Sequence, residues 1–150
     1  MSGMSQKGPI LLVEDNEDDV FFMKRALRAV EVAPPLQVVT DGQKAIDYLA
    51  GHAEYADRLR YPLPCLILLD LKLPHKTGLE VLEWIRKESS TQSVVVLILS
   101  TSKESSDIEA AYRLCANAYL VKPAVVEQLT EMMRALKNFW LTHNQFAVRD

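Results

Sequence analysis

Short runs of apolar residues alternate along this chain with segments in which apolar residues recur every three or four positions. Each run is bounded by polar or proline residues, as is typical of a strand that is buried on both faces. The periodic segments place their apolar groups on one side of a helix. The pattern predicts five strands, at 10–13, 36–40, 65–69, 94–99 and 118–121.

Helices are predicted between these strands, and several of them begin with a capping signal. Asp41 can cap the second helix, and Thr77 with Glu80 has the capping-box spacing that satisfies free N–H groups at a helix start. Ser106 and Glu109 repeat that spacing at the fourth helix. We predict helices at 18–30, at 43–50, from 77, from 106, and from about 125 to about 141.

Strands that alternate with helices specify an α/β fold whose parallel sheet is covered on both faces. Right-handed crossovers leave few topologies, of which a doubly wound three-layer sandwich fits best. The segment 51–64 is polar, is flanked by proline and is too long for a simple turn. We predict that it is a surface extension with room for one helical turn.

The length of 150 residues fits one domain, expected to span 1–150 with a core at about 8–141, a tail at 142–150 and no output domain. A net charge of −3 without a basic cluster argues against nucleic-acid binding. With neither a membrane-length apolar stretch nor a signal-peptide core, the protein is expected to be cytoplasmic. Cys65 and Cys115 lack disulfide or metal-ligand spacing and are expected to be buried and reduced.

Polar residues follow directly on four of the predicted strands. Glu14 and Asp15 follow the first strand, Asp70 the third, Ser100 the fourth and Lys122 the fifth. Because the carboxyl ends of parallel strands meet at one edge of the sheet, where such folds bind ligands, these groups should converge there. The histidines at 52, 75 and 143 have no metal-ligand spacing and are expected to be exposed.

Each of these residues also has an ordinary structural interpretation. The acidic residues within 14–19 could simply be those favoured near a helix N-terminus. Asp70 could form a turn, and Ser100 could bond to its own loop. Lys122 could be a solvated lysine and Tyr119 a half-buried core aromatic. It is their joint placement at four strand ends that favours a shared site.

Four short motifs carry a resemblance to a known family. They are Leu12-Val13-Glu14-Asp15-Asn16, Asp70-Leu71-Lys72-Leu73-Pro74 with Gly78 after it, Leu99-Ser100-Thr101, and Tyr119-Leu120-Val121-Lys122-Pro123. Together they resemble the signature of the response-regulator receiver domain, in order and over almost the whole chain. The resemblance implies a flavodoxin-like (β/α)5 fold with strand order 2-1-3-4-5.

The resemblance also implies a reaction. A separate histidine kinase would donate a phosphoryl group to Asp70, and the chain would itself catalyse both the transfer and the later loss of that group. Because a carboxylate nucleophile and a phosphoryl group repel each other, Mg²⁺ would bridge them. Asp15 and Asp70 would bind the ion directly, Glu14 would bind it through water, and Lys72 would bind it through its main-chain carbonyl.

Two further residues would act on the phosphoryl group, since Lys122 would pair with one of its oxygens and Ser100 with another.

In the family the Lys122–Pro123 peptide bond is cis. The family's switch implies that Ser100 moves toward the phosphoryl group and that Tyr119 rotates into the vacated space. The face formed by the fourth helix, fifth strand and last helix would respond.

The segments 138–142 and 51–64 further resemble the small regulators that partner bacterial phytochrome histidine kinases. The last helix carries more apolar residues than docking on a sheet requires, so it is a candidate homodimer surface, with a broader intramolecular contact as the alternative. One stripe, predicted to dock, is Val125, Leu129, Met132, Leu136 and Phe139, and the second is Val126, Met133 and Trp140.

Two other functions stay open. A hydrolase of the haloacid-dehalogenase type would carry its nucleophile after the first strand in a DxD motif, whereas this chain has Glu14-Asp15-Asn16 there. The other is a receiver-like interaction module that is never phosphorylated, and the presence of Asp15, Asp70, Ser100 and Lys122 together argues against it.

Overall fold

A computed structural model describes residues 8–147, so the start of the chain and the last three positions of the expected tail lie outside the described residues. The five strands form one parallel sheet in the order β2-β1-β3-β4-β5, which confirms the predicted fold and strand order. The strands are β1 (Ile10–Val13), β2 (Leu36–Val39), β3 (Leu66–Leu69), β4 (Val95–Ser100) and β5 (Ala118–Val121).

Helices cover both faces of the sheet. Side chains alternate along each strand, so Leu11 and Val13 of β1 enter one core while Ile10 and Leu12 enter the other. The first core is closed by α2, α3 and α4, and the second by α1 and α5. The helices are α1 (Glu17–Ala29), α2 (Gly42–Ala50), α3 (Gly78–Lys87), α4 (Ser105–Arg113) and α5 (Val126–Leu136).

The capping signals were mostly informative. Asp41 caps α2, and at α3 Thr77 Oγ1 accepts from the Glu80 N–H at 3.2 Å while Glu80 Oε1 accepts from the Thr77 N–H at 2.9 Å. The second predicted capping box is wrong, because α4 begins at Ser105. There Ser102 Oγ donates to the Asp107 carboxylate, which fixes the turn before the helix in place of a box.

The extension at 51–64 contains one 3₁₀ turn, at Ala53–Tyr55, as predicted. It is not wholly a surface feature, because the Tyr55 side chain is buried. The rings of Tyr48, Tyr55 and Tyr61 pack against one another with centroids 5.1 to 5.9 Å apart. Aromatic edges and faces attract at this spacing, so these rings hold the extension to α2 at the margin of the first core.

The last helix departs from its prediction. Regular α-helix ends at Leu136 and continues as a π-helix over Lys137–His143. Met133 and Leu136 are fully buried, whereas Phe139, which was predicted to dock, is 56% exposed. Residues 129, 133, 136 and 140 recur at three- and four-residue spacing and pack on one core, so the two predicted stripes largely merge into one intramolecular contact.

The remaining predictions concern individual side chains. Cys65 is buried as expected, but Cys115 is exposed because it lies in the loop after α4, outside both cores. All three histidines are exposed, as predicted. No helix within residues 8–147 is long and apolar enough to cross a membrane.

Candidate functional site

The polar residues predicted to converge do meet at the carboxyl edge of the sheet. Glu14 follows β1, Asp70 follows β3 and Ser100 ends β4, and each is almost wholly buried, with 3%, 8% and 0% of its surface exposed. Buried polar side chains are costly unless they are paired. Each of these side chains is therefore expected to have a hydrogen-bond or ionic partner at this edge.

Lys122, which follows β5, is the centre of the cluster. Its Nζ lies 2.6 Å from Glu14 Oε1, 3.0 Å from Asp19 Oδ2 and 3.1 Å from Asp70 Oδ2. Burial alone would lower the pKa of Lys122, but its hydrogen bonds to the Glu14 and Asp19 carboxylates outweigh burial and raise that pKa. Lys122 is therefore a fixed positive charge at every physiological pH.

The negative charge of the carboxylates is only partly neutralised by Lys122. Burial raises the pKa of Glu14, and the nearby Asp70 charge acts in the same direction, against the lowering by Lys122 and by the Asn16 N–H. One ammonium group also faces three carboxylates here, more than it can neutralise. The edge thus carries surplus negative charge.

A divalent cation would relieve this surplus. Glu14, Asp15 and Asp70 each offer an oxygen, and the three oxygens lie within 4.8 Å of one another. Carboxylate oxygens are the ligands that Mg²⁺ and similar hard cations prefer. Lys72, whose carbonyl was predicted as a ligand, lines the same open cleft. The donor set fits a divalent-cation site, and the metal role of Lys72 stays a prediction.

The Asp70 carboxylate is held by its own loop. Its Oδ1 accepts the Leu71 N–H at 2.7 Å, which leaves Oδ2 for Lys122. Gly78, at the start of α3, packs directly beneath this loop, where an added Cβ would lie 2.1 Å from the Asp70 carbonyl oxygen. Glycine is required because any side chain would push the loop, and with it Asp70, out of position.

Ser100 and Tyr119 both contact the backbone of Ser102. Ser100 Oγ accepts the Ser102 N–H at 3.2 Å, and the Tyr119 hydroxyl donates to the Ser102 carbonyl at 3.0 Å. The β4–α4 loop therefore links the two residues that were predicted to act as a switch. Their roles remain predictions.

Two features of the site differ from the sequence-based expectations. The sequence identifies Asp19 only as an acidic residue near a helix start, yet its carboxylate binds Lys122. Its signal was its place in the first turn of α1, four residues after Asp15, where a helical side chain turns back toward the strand end.

The expected cis bond at Lys122–Pro123 is wrong for this structure, because residues 8–147 contain no cis peptide bond. That bond has the trans geometry that X–Pro bonds ordinarily prefer.

Fold and site together define a doubly wound α/β protein with a carboxylate–lysine cluster at the carboxyl edge of its sheet. Residues 10–134 match the family model of the response regulator receiver domain. The chain belongs to this family and is a two-component response regulator. The resemblance drawn from the four motifs is confirmed, and the hydrolase alternative has no support.

The chain is similar to regulators of light-sensing systems. Response regulator Rcp1 of Synechocystis sp. is 36% identical over 132 residues, which cover 88% of each chain. The phosphorylated cyanobacterial phytochrome response regulator RcpA superposes with a TM-score of 0.87 at 37% identity, over 94% of this chain and 99% of that one.

Two further structures agree. RPA3017, a response regulator in red light signaling of R. palustris, superposes with a TM-score of 0.88 at 33% identity, over 94% of this chain and 99% of that one. The Mn²⁺-bound form of response regulator Rcp1 superposes with a TM-score of 0.85 at 34% identity, over 94% of this chain and 99% of that one. The predicted likeness to phytochrome-linked regulators is confirmed.

Proposed function

We propose that Asp70 accepts a phosphoryl group from a partner histidine kinase in a Mg²⁺-dependent reaction. One observation carries the proposal: the Asp70 Oδ2 atom lies 3.1 Å from the Lys122 ammonium, at the rim of the acidic cleft. A nucleophile, a positive charge for the phosphoryl oxygens and a set of cation ligands thus share one edge. Phosphoryl transfer requires little beyond such positioning and charge neutralisation.

In the proposed step, an Asp70 carboxylate oxygen forms a bond to phosphorus while the phosphorus–nitrogen bond of the donor phosphohistidine breaks. The bonding electrons stay on the histidine nitrogen, and the product is an aspartyl phosphate. Lys122 and the Ser100 hydroxyl would each donate to a phosphoryl oxygen. Attack by water later returns the Asp70 carboxylate and inorganic phosphate.

Asp15 and Asp70 would hold Mg²⁺ directly, Glu14 through water and Lys72 through its carbonyl. The ion would supply positive charge that lets two anionic groups approach. This role agrees with the three carboxylate oxygens that lie within 4.8 Å of one another and with the surplus negative charge around Lys122. The catalysis is limited to the chain's own phosphorylation and dephosphorylation.

A phytochrome-type histidine kinase in the cytoplasm is the proposed partner, because regulators of phytochrome signalling are among the similar structures. The proposed output is the α4–β5–α5 face, where Tyr119 would rotate inward as Ser100 moves toward the phosphoryl group. A homodimer through this face and the last helix is part of the proposal. Tyr112 and Phe139, at 50% and 56% exposed, are apolar groups available for it.

Phosphotransfer from a purified phytochrome histidine kinase tests the function. The kinase is first loaded with labelled ATP and freed of nucleotide, and then it is mixed with wild type or Asp70→Asn. We expect label to move to wild type within minutes when Mg²⁺ is present, and not to move to Asp70→Asn or in EDTA. Transfer to Asp70→Asn at the wild-type rate would exclude Asp70 as the acceptor.

The switch has its own test. We expect fluorotyrosine placed at 119 to change its ¹⁹F resonance when Mg²⁺ and beryllofluoride, a phosphoryl mimic, are added. An unchanged resonance would argue against the rotation of Tyr119.

A further inference from the structure

Asp19 is a fourth carboxylate at this site, and the cation cluster does not include it. Its Oδ2 lies 3.0 Å from Lys122 Nζ. Within residues 8–147, the carboxylates that could share a metal ion are Glu14, Asp15 and Asp70, without Asp19. Asp19 is therefore placed to act on the lysine rather than on the ion.

The local backbone holds Asp19 in this position. Asn16 caps α1, and its Oδ1 accepts the Asp19 N–H at 2.9 Å. The Asn16 N–H in turn donates to Glu14 Oε2 at 3.1 Å. Glu14 and Asp19, which supply two of the three carboxylates around Lys122, are thus linked through Asn16, and these bonds fix the backbone from which the Asp19 side chain extends.

The ammonium group of Lys122 has three N–H donors, and three carboxylates already surround it. A phosphoryl group on Asp70 adds strong acceptor oxygens, and these compete with the present partners of Lys122 for its donors. Glu14 is a poor partner to release, because its side chain is 4% exposed and water has little access to replace the ammonium there. Asp19 is 43% exposed, so water can take the place of the lysine.

We propose that Asp19 is a positioning residue that holds Lys122 in its resting place and competes with the incoming phosphoryl group for it. Asp19 slows phosphorylation in two ways, since it shares the ammonium charge and adds negative charge beside an anionic donor. This inference rests on the proposed function, because it assigns a regulator to that reaction at Asp70.

The test compares three variants with wild type under acetyl phosphate at saturating Mg²⁺. In the reaction Asp70 bonds to phosphorus, the bond from phosphorus to the acyl oxygen breaks, and acetate leaves. Asp19→Asn should be phosphorylated about two- to fivefold faster than wild type, the effect of one partly exposed ion pair. Asp19→Glu, which retains the charge and can reach Lys122, should return the rate toward wild type.

Asp18→Asn is the matched control. Asp18 is exposed and lines the same cleft, and its substitution by Asn removes the same negative charge. The described partners of Lys122 are Glu14, Asp19 and Asp70, not Asp18. We expect its rate to stay closer to wild type than that of Asp19→Asn. Thermal unfolding of each variant establishes that the comparison is made between folded proteins.

The possible outcomes separate the two proposals. If wild type is phosphorylated and Asp19→Asn is no faster than Asp18→Asn, the inference about Asp19 is wrong and the proposed function stands. If Asp19→Glu is as fast as Asp19→Asn, the ion pair is not the cause, and the inference is again wrong. If wild type is never phosphorylated and does not bind beryllofluoride with Mg²⁺ either, the proposed function fails, and the role of Asp19 fails with it.

Discussion

Lys122 and Arg58 are both partly buried cations with three acceptors, and they show two different uses of a buried charge. Lys122 is bound by carboxylates from three parts of the chain, Glu14, Asp19 and Asp70. The Arg58 guanidinium donates instead to neutral carbonyl oxygens, those of Tyr48 at 2.7 Å, Leu49 at 2.7 Å and Tyr61 at 2.9 Å.

The two networks differ in the net charge that remains after the cation is bound. Arg58 donates to carbonyls in the last turn of α2, where a positive charge is favourable, and it fixes the 51–64 extension against that helix. At Lys122 the carboxylates outnumber the ammonium, so the cluster still attracts a cation, which the proposed phosphoryl transfer requires. The Arg58 network therefore has a structural role, whereas the Lys122 network retains surplus negative charge and is the site at which we propose the reaction.

The largest effect is expected from Lys122→Met, which removes the positive charge at the reactive edge. The rate of phosphorylation by acetyl phosphate should fall by about 10²- to 10³-fold, the usual cost of losing one preorganised charge contact to a transition state. Intact-mass time courses measure that rate. Arg58→Met is the control and should keep it. Equal losses in the two variants would remove the distinction between the networks.

Arg58→Met should instead lower stability. Losing hydrogen bonds from a charged group to buried carbonyls should reduce the free energy of unfolding by about 2 to 3 kcal/mol, as measured by urea denaturation. Arg60→Met is the matched control, since Arg60 is exposed and lies over the Tyr61 ring at 5.4 Å. Its loss should be below about 1 kcal/mol. A larger loss in Arg60→Met would show that charge near the extension, not the carbonyl bonds, stabilises it.

A smaller effect is expected from Tyr48 at high pH. Burial raises the pKa of Tyr48 from 10.0 to about 12. Because the folded pKa is the higher one, this stabilisation is complete below pH 10 and is lost as pH rises toward 12. Tyr48→Phe loses about 1 kcal/mol near neutral pH with its hydrogen bond to the Pro62 carbonyl.

Urea unfolding of wild type and Tyr48→Phe at pH 8 and pH 11 tests this pKa shift. The difference between their free energies of unfolding should shrink at pH 11, since only wild type loses the Tyr48 contribution. A constant difference would mean that Tyr48 has the same pKa in the folded and unfolded states.

The placement of Glu14, Asp70, Ser100 and Lys122 was predictable because a parallel sheet brings its strand ends to one edge. Local spacing also gave the cap of α3, since a capping box depends on residues three apart.

Contacts that depend on side-chain reach between distant elements were not predictable. The bond from Lys122 to Asp19 joins residues 103 positions apart, and although the helical position of Asp19 turns its side chain toward the strand ends, it does not identify Lys122 as the partner. The exposure of Cys115 and the burial of Tyr55 likewise depend on how a loop is folded over a core. The widening of the last helix into π geometry left Phe139 on the surface, which a regular helical repeat could not anticipate.

The intact mass after incubation with acetyl phosphate, with and without Mg²⁺, tests the phosphoryl-transfer proposal most directly. We predict that wild type gains one phosphoryl group only with Mg²⁺ and that Asp70→Asn gains none. If wild type gains no mass, and beryllofluoride with Mg²⁺ also fails to bind, then rapid hydrolysis is excluded. That result would contradict the proposal and favour an interaction module that is never phosphorylated.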